Sequence, residues 1–196
     1  MTDSVSRRSV LATGAFTAAG LLTLDVAHAQ APLAATPECH DGDAPTVRQT
    51  EGPFFKPLSP ERADLIEPGM RGTPIELVGF VLTRACKPLP GALVDLWHAD
   101  DRGEYDNAGF RLRGHQFADG EGRYRFRTIL PAIYAGRTRH FHVKVQRKGG
   151  RILTTQLYFP DTPGNSRDGL FRPELLMRSS GSGETAAARF DFVLDA

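Results

Sequence analysis

Short runs of alternating apolar and polar residues dominate the chain from residue 75 onward. A period of two is typical of β-strands with one buried face, because successive side chains of a strand point to opposite sides. Gly-, Pro- and Asp-rich segments separate the runs, and no long segment has helical periodicity. The pattern predicts an all-β fold, a β-sandwich of mostly antiparallel strands with long Pro/Gly-rich loops. The predicted strands are IELVGFVLT (75–83), ALVDLWHA (92–99), GRYRFRTI (122–129), HFHVKVQRK (140–148), LTTQLYF (153–159) and ARFDFVLD (188–195).

The segment before the first strand has a different character. Residues 50–74 contain five prolines and three glycines, which favours an irregular wrap around the sandwich. Ser59 followed by Pro60 is a helix-start signal, so one short helical turn is expected there. Because no repeat or composition break divides the chain beyond this point, residues 30–196 are predicted to form one domain.

Residues 1–29 have the features of an export signal. Arg7 and Arg8 precede a mildly apolar stretch, which ends at the small-residue site Ala27-His28-Ala29. Paired arginines indicate the twin-arginine route, with cleavage near Ala29 and a periplasmic or extracellular product. A disordered basic tail is the alternative. Twin-arginine export carries folded proteins, which suits a chain that acquires a metal cofactor before it leaves the cytoplasm.

The charge balance excludes several classes of partner. The chain has 24 Lys and Arg against 23 Asp and Glu, a net charge of +1. Such a balance favours neither nucleic acid nor an anionic membrane surface as a partner. No apolar run reaches the roughly 18 residues that a membrane-spanning helix needs. The oligomeric state is left open.

The chain contains two cysteines, Cys39 and Cys86. An exported chain with an even number of cysteines is a candidate for a disulfide, and two unrelated free thiols are the alternative. The chain-entropy contribution of a bridge closing a loop of this size is on the order of 4 kcal/mol. Neither cysteine has the CxxC or CxxH spacing of a zinc site.

The most suggestive chemistry lies in the predicted strand 140–148. His140 and His142 are two residues apart, so both imidazoles project from one side and can reach one ion. A His-x-His pair alone is a weak signal, since two structural histidines produce the same pattern. Two of the four tyrosines, Tyr105 and Tyr134, lie in loops beside strand ends. Each tyrosine taken alone is more often a packed residue that hydrogen-bonds through its hydroxyl group.

Five sequence blocks change this picture. They are QTEGPFF (49–55), CKPLPGALVDLWHADDRGEY (86–105), DGEGRYRFRTILPAIY (119–134), RTRHFH (137–142) and TTQLYF (154–159). Together and in this order they resemble the intradiol ring-cleavage dioxygenases, in particular the exported, single-domain branch. The resemblance implies an enzyme with a non-haem Fe(III) that cleaves a catechol-type ring with O₂ and forms a cis,cis-muconate-type diacid.

The resemblance also implies the site residues. The iron ligands fall on Tyr105, Tyr134, His140 and His142, and Tyr134 is the ligand that substrate displaces. Arg137, three residues before the first histidine, falls on a position that stabilises developing negative charge. Gln156 falls on a position that orients that arginine or the substrate. Tyr124, Tyr158, His98 and His115 match no ligand position. The two tyrosines are therefore expected to be core or pocket-wall residues, and His98, which follows Trp97 in a strand, is expected to be a structural imidazole.

Two observations bear on substrate and on the competing function. Gly136 stands where the protocatechuate enzymes carry a pocket tryptophan, which argues against protocatechuate as the substrate. The competing function is a non-catalytic, transthyretin-like secreted binding module on the same scaffold. Such a module has no need for four metal ligands together with Arg137 and Gln156.

Overall fold

A computed structural model describes residues 39, 44–181 and 186–195. The predicted export signal, residues 1–29, lies outside these residues, as does its expected cleavage site near Ala29. Within the described ranges, no helix has the length and apolar character to cross a bilayer.

Nine strands and two short 3₁₀ helices make up the regular structure of the described residues. The strands are β1 (Pro74–Thr83), β2 (Leu93–Trp97), β3 (Arg113–Phe117), β4 (Arg123–Ile129), β5 (His140–Gln146), β6 (Leu153–Tyr158), β7 (Arg178–Ser180), β8 (Ala187–Arg189) and β9 (Phe192–Leu194). The 3₁₀ helices are Asn165–Arg167 and Pro173–Leu175.

The strands form two sheets. The first has the order β4-β1-β8-β7, with β9 paired to the second half of β1, and the second has the order β3-β2-β5-β6. All pairs in the second sheet are antiparallel. In the first sheet β8 and β9 both run parallel to β1. The prediction of an all-β sandwich is confirmed, with these parallel pairs as an addition.

The hydrophobic core fills the space between the sheets. Val94, Leu96, Phe141 and Val143 lie on the inner face of the second sheet, and each is fully buried. Apolar residues of β1 and β4 pack in the same cluster, among them Leu77 and Phe126. Alternation then turns the neighbouring residues of β2, β5 and β6 to the outer face, which places His140 and His142 together there.

The Pro-rich segment covers that outer face, and we call residues 44–73 the wrap. It pairs with the edge of β6 through Gln49 N–H and the Thr154 carbonyl, 2.8 Å apart. It then reaches the opposite edge, where Arg62 N–H donates to the His115 carbonyl of β3 at 2.9 Å. The expected helical turn at Ser59 is wrong. The backbone after Ser59 is held in extended pairing with β3, which a helix would not permit.

Two strand predictions need correction. The segment 188–195 forms two short strands, because the chain is interrupted at Phe190 and Asp191. At this point the Phe190 carbonyl oxygen approaches β1 so closely that a Cβ at Gly79 would overlap it, so glycine is needed there. Strand β3, Arg113–Phe117, was not predicted. Its sequence RGHQF has little apolar alternation, and pairing with β2 makes it a strand.

A disulfide joins Cys39 to Cys86, with 5.4 Å between their Cα atoms. Cys86 lies in the turn after β1, in the left-handed backbone region with φ 55°. The bridge connects the chain just before the wrap to the body of the sandwich. The disulfide prediction is confirmed, and the alternative of two free thiols is wrong.

Candidate metal centre

His140 and His142 are buried beneath the wrap, with 4 % and 3 % of their surfaces exposed. Their Nε2 atoms face each other at 3.1 Å. The His142 ring stacks on Trp97 of the neighbouring strand, with centroids 5.0 Å apart and an interplanar angle of 11°. The sequence pattern predicted the shared face, but it did not show that this face is as well enclosed as the core.

Both imidazoles are held in the neutral form. Burial lowers the pKa of His140 to about 4. Burial also lowers the pKa of His142 well below its ordinary value, and nearby His140 and Arg137 lower it further. The Thr138 carbonyl lies 2.6 Å from His140 Nδ1 and can only accept, so Nδ1 carries the proton and Nε2 presents its lone pair. A neutral imidazole whose Nε2 is unprotonated can bind a metal ion through that nitrogen.

The wrap fits tightly over His142. Gly52 has φ +71°, and a Cβ added there would lie 3.3 Å from His142 Cε1. His142 Nδ1 is buried and has no hydrogen-bond partner among the described residues. Glycine at position 52 therefore permits both the turn and the close approach of the wrap to the ring.

Tyr105 brings an oxygen to the histidine pair. Its hydroxyl lies 3.4 Å from His140 Nε2, and its ring stacks on Phe54 of the wrap at 4.4 Å. The loop that carries it is shaped by Asp106, whose carboxylate accepts hydrogen bonds from the backbone of Ala108, Gly109 and Arg111. Burial raises the pKa of the Tyr105 phenol, and Arg137 and Arg113 oppose that rise. A phenolate at Tyr105 therefore needs additional positive charge, which a metal ion provides.

Tyr134 and Arg137 are the ends of one tight turn. Ala135 and Gly136 both have positive φ, 42° and 78°, as the two central residues of a type I′ turn do. Arg137 N–H closes the turn by donating to the Tyr134 carbonyl at 2.7 Å. The Tyr134 ring meets the Tyr105 ring edge-on at 5.5 Å. The structure thus brings Tyr134 to the site through ring contacts, at a more exposed position than the histidines.

Arg137 is fixed mainly by Asp168 and Gln156, with a longer contact of 3.5 Å from its Nη2 to the Tyr158 hydroxyl. Its Nε donates to both carboxylate oxygens of Asp168, at 3.0 and 2.8 Å, and its Nη2 donates to Gln156 Oε1 at 2.6 Å. Burial alone raises the pKa of Asp168, but hydrogen bonds from Leu170 N–H, Arg137 and Thr138 N–H bring it below its ordinary value. Asp168 is therefore ionised and pairs with the guanidinium.

Sequence reasoning missed Asp168 and part of the network around it. Gln156 Nε2 also donates to the Thr50 carbonyl of the wrap at 3.0 Å. Tyr158, predicted as a core or pocket-wall residue, donates from its hydroxyl to Gln49 Oε1 at 2.6 Å. Asp168 lies in a loop 31 residues from Arg137 without any surrounding motif, so no local signal marks it.

His98 and His115 are accounted for by protein contacts. His98 is buried against Phe141, and its Nδ1 and Nε2 lie 2.7 Å from the Ala99 carbonyl and from Thr128 Oγ1. His115 Nδ1 lies 3.1 Å from Ser59 Oγ, which also contacts Asp95. The prediction of a structural imidazole at His98 is confirmed.

The donor set fits an oxygen-preferring metal ion. A metal–imidazole bond is about 2.0–2.1 Å for zinc, so two nitrogens 3.1 Å apart can bind the same ion. In the described ranges, no group of three or more His, Cys, Asp or Glu side chains is arranged so that it could hold a metal ion. The Tyr105 hydroxyl is the oxygen donor that contacts the histidine pair, and hard phenolate oxygens suit a hard trivalent ion.

The chain matches known proteins over most of its length. The sequence profile of a family described as dioxygenase matches residues 50–196. The dioxygenase domain of a dioxygenase carbohydrate-binding fusion from the cellulolytic bacterium Streptomyces sp. SirexAA-E is 52 % identical, with a TM-score of 0.76. That match covers 78 % of this chain and 99 % of that domain.

Matches to named catechol enzymes are more distant. The 3-chlorocatechol 1,2-dioxygenase of Rhodococcus opacus 1CP is 28 % identical, with a TM-score of 0.69, over 78 % of this chain and 72 % of that one. The catechol 1,2-dioxygenase of Acinetobacter baylyi is 32 % identical over 60 % of this chain and 47 % of its own length. The chain thus spans about half the length of several curated relatives. The family profile, these relatives and the fold together show that the chain belongs to the intradiol ring-cleavage dioxygenase family.

Proposed function

We propose that the chain cleaves a catechol-type ring between its two hydroxyl-bearing carbons, with O₂, to give a cis,cis-muconate-type diacid. Both atoms of O₂ end in the product, so the reaction balances without another reductant. The observation that carries the proposal is the convergence of two buried neutral imidazoles and the Tyr105 hydroxyl within 3.4 Å. The names of the relatives, which include catechol and chlorocatechol 1,2-dioxygenases, support it.

The residues that would hold non-haem Fe(III) are Tyr105, Tyr134, His140 and His142. Members of this family generally use non-haem iron, and the combination of oxygen and neutral nitrogen donors fits that ion. When bound, Fe(III) would supply the positive charge that stabilises phenolates and a doubly deprotonated catechol, together with the redox chemistry toward O₂.

The two tyrosines differ in how firmly the protein holds them. Tyr105 is fixed by its stack on Phe54 and by its approach to His140, which favours a ligand that stays in place. Tyr134 stands on a two-residue turn, and its ring is half-buried like that of Tyr105 and meets Phe54 edge-on at 5.1 Å, but its hydroxyl has no hydrogen-bond partner among the described residues. Its oxygen can therefore move away and accept one of the two protons that a catechol loses when it binds. The remaining proton needs a second base, which solvent-derived hydroxide can provide.

Arg137 would stabilise negative charge on the substrate ring. Its guanidinium is permanently charged, and Asp168 and Gln156 hold it in one orientation on the same face as the histidines. A donor fixed before the reaction need not reorganise as charge develops. Asp168 and Gln156 contact Arg137, so they act as positioning residues.

The enclosure of the site keeps water from the imidazoles. Trp97 covers one side of the His142 ring, Gly52 approaches its edge, and Phe54 covers Tyr105. Such enclosure strengthens electrostatic interactions inside the site. Tyr105 and Tyr134 are both partly exposed, so the substrate would approach from the side of the tyrosines.

Product identification tests this proposal. Protein reconstituted with Fe(III) is supplied with catechol, 4-methylcatechol and chlorocatechol, while O₂ uptake is followed and the products are identified by NMR. We expect one O₂ per ring and a muconate-type diacid, and no turnover by zinc-loaded protein. An extradiol semialdehyde product, or no turnover with full iron occupancy, would overturn the proposal.

We also propose that the chain is exported by the twin-arginine route. The Cys39–Cys86 disulfide supports this location, because disulfides persist in oxidising compartments. Fractionation of a bacterial host that expresses the full chain tests it, with Arg7→Lys combined with Arg8→Lys as the matched variant. We expect the unaltered chain in the periplasm or medium and the variant in the cytoplasm; equal distributions would contradict export by this route.

A further inference from the structure

A pocket of about 680 Å³ lies beside the candidate metal centre, and Gly136 and Arg137 of the Tyr134–Arg137 turn line it. Its walls come from that turn and from the loop that follows β6. Gly136 leaves the pocket open, because a Cβ at this position would meet no atom within 4 Å. The residues used below from its lining are Ile133, Arg139, Phe159, Asp161, Thr162 and Arg167.

Arg139 points away from the histidine pair. It directly precedes β5, and alternation places it with Phe141 on the inner side of the sheet. At this end of the sandwich the inner side opens into the pocket, where Phe159 is a neighbouring wall residue. Arg139 thus lies on the opposite side of the sheet from the imidazoles, and the pocket adjoins the candidate metal centre through Arg137, which also lines it.

The guanidinium of Arg139 is partly buried without a partner. Its Nε is inaccessible to solvent, and in the described part of the chain no hydrogen bond or ion pair is formed by its side chain. By contrast, the fully buried Arg113 donates from Nε and Nη1 to the Asp106 and Phe54 carbonyls, and only its Nη2 has no partner in the described part of the chain. Removing an unpaired cation from water is unfavourable, and a bound anion would offset that cost.

The rest of the lining is suited to an organic anion. Arg167 and Arg137 add two more positive charges, of which Arg137 is already paired with Asp168, and Asp161 is the one acidic residue in the lining. The Thr162 hydroxyl makes only a long contact of 3.4 Å, to the Pro160 carbonyl, so it can donate elsewhere. Ile133 and Phe159 give the pocket apolar walls, and Ile133 is 63 % exposed. A small inorganic anion would leave those walls uncovered.

We propose that this pocket is a carboxylate-binding site in which Arg139 and Arg167 hold the carboxylate and the apolar walls hold the carbon skeleton of an organic acid. Two sources supply such a ligand: the diacid that the proposed reaction releases next to the pocket, and an acidic side chain on an incoming aromatic substrate. Both use the same carboxylate–guanidinium contact, which is strongest when two N–H groups donate in parallel.

Calorimetric titration of the full-length protein as purified, in anaerobic buffer, tests the site. The probes are cis,cis-muconate for the product, 3-phenylpropanoate for an aromatic acid, and the dimethyl ester of muconate as the uncharged control. We expect one or both acids to bind and the ester to bind at least tenfold more weakly. No acid binding up to about 10 mM, or equal affinity for acid and ester, overturns the proposal.

Variants locate the binding. Arg139→Gln should weaken acid binding by about 10- to 100-fold, the range for losing a hydrogen bond to a charged group, and Arg139→Lys by less. Arg167→Gln, whose side chain is exposed and whose loss does not endanger folding, should weaken it as well. Arg151→Gln is the matched control, because Arg151 lies near the opposite end of the β5–β6 hairpin, and it should change affinity less than twofold.

The acid for which the variants lose affinity also identifies the source of the natural ligand. A loss confined to muconate marks a product site, and a loss confined to 3-phenylpropanoate marks a site for an acidic substrate side chain. Unchanged affinity for both acids in Arg139→Gln and in Arg167→Gln refutes the site. Since no probe is turned over, the result does not depend on whether the protein cleaves catechols.

Discussion

The second sheet has two buried faces that differ in how they exclude water. Its inner face is apolar, with Leu96, Phe141 and Val143 packed against the first sheet. Its outer face carries Trp97, His140, His142 and Gln156, and the wrap covers it. Each face is as buried as the other along β5, where residues 140–143 all lie below 5 % exposure.

The difference shows what each kind of burial requires. Apolar side chains need only contact area, since dispersion and the loss of water contact act without direction. Polar side chains need specific partners, because a buried group without one costs free energy. On the outer face Gln156 and Arg137 find partners in the wrap and in a loop far along the chain, as Thr50 and Asp168 illustrate, whereas Trp97 Nε1 and His142 Nδ1 have none among the described residues. Substitutions on the inner face should therefore change stability, and those on the outer face should change chemistry.

Phe141→Ala tests the inner face. Removing a fully buried phenylalanine should lower the free energy of unfolding by about 3–5 kcal/mol, through lost transfer energy and the remaining cavity. Urea denaturation of the metal-free protein measures this loss. A loss below 1 kcal/mol would mean that the two faces do not differ as described.

His142→Ala is the matched substitution on the next residue of the same strand. Because His142 is a proposed ligand, iron content should fall steeply and turnover by roughly 10²–10³-fold, the equivalent of several kcal/mol of metal catalysis. Unfolding of the metal-free protein should change by less than in Phe141→Ala. Iron analysis beside denaturation separates the two effects, and full iron retention would remove His142 from the ligand set.

Loss of the disulfide should act on the outer face through the wrap. Cys86→Ser opens the bridge that anchors the chain before the wrap, at a cost of about 2–4 kcal/mol in unfolding free energy. Amides of Gln49 and Arg62, which pair the wrap to β6 and β3, should exchange with deuterium faster, while β5 amides remain protected. Uniform acceleration across both faces would contradict a local role for the bridge.

His98 sharpens the comparison because it is a polar group on the inner face. Burial lowers its pKa to about 4, from 6.5 in the unfolded chain. Between pH 4 and 6.5 the unfolded state therefore binds more protons than the folded state. The contribution of neutral His98 to the free energy of unfolding is complete above pH 6.5 and is lost as pH falls toward 4. For one such group, the free energy of unfolding changes by at most about 1.4 kcal/mol per pH unit.

Thermal unfolding of the metal-free protein between pH 4 and 7.5 measures this effect. His98→Gln can keep hydrogen bonds to Ala99 and Thr128 without titrating, so it should show a shallower pH dependence than the unaltered protein. His140 and His142 contribute equally to both proteins and cancel in the comparison. Identical slopes would mean that His98 does not remain neutral in the folded state.

Much of the fold follows from local patterns. Period-two alternation located β1, β2, β4, β5 and β6, because side-chain alternation is a property of the strand itself. The same alternation put His140 and His142 on one face. The resemblance of five blocks indicated Tyr105, Tyr134, Arg137 and Gln156, and the structure brings these residues together.

What the sequence by itself determined is the set of side chains that each strand presents to one side or the other. Tertiary structure alone decided which of those sides is covered and by what. β3 is a strand because β2 is its neighbour, Ser59 is extended because β3 pairs with the residues after it, and Asp168 meets Arg137 because a distant loop returns to the sheet. Alternation is set within two residues, whereas these contacts join residues separated by tens of positions in the chain, and only the packing of the whole sandwich brings them together.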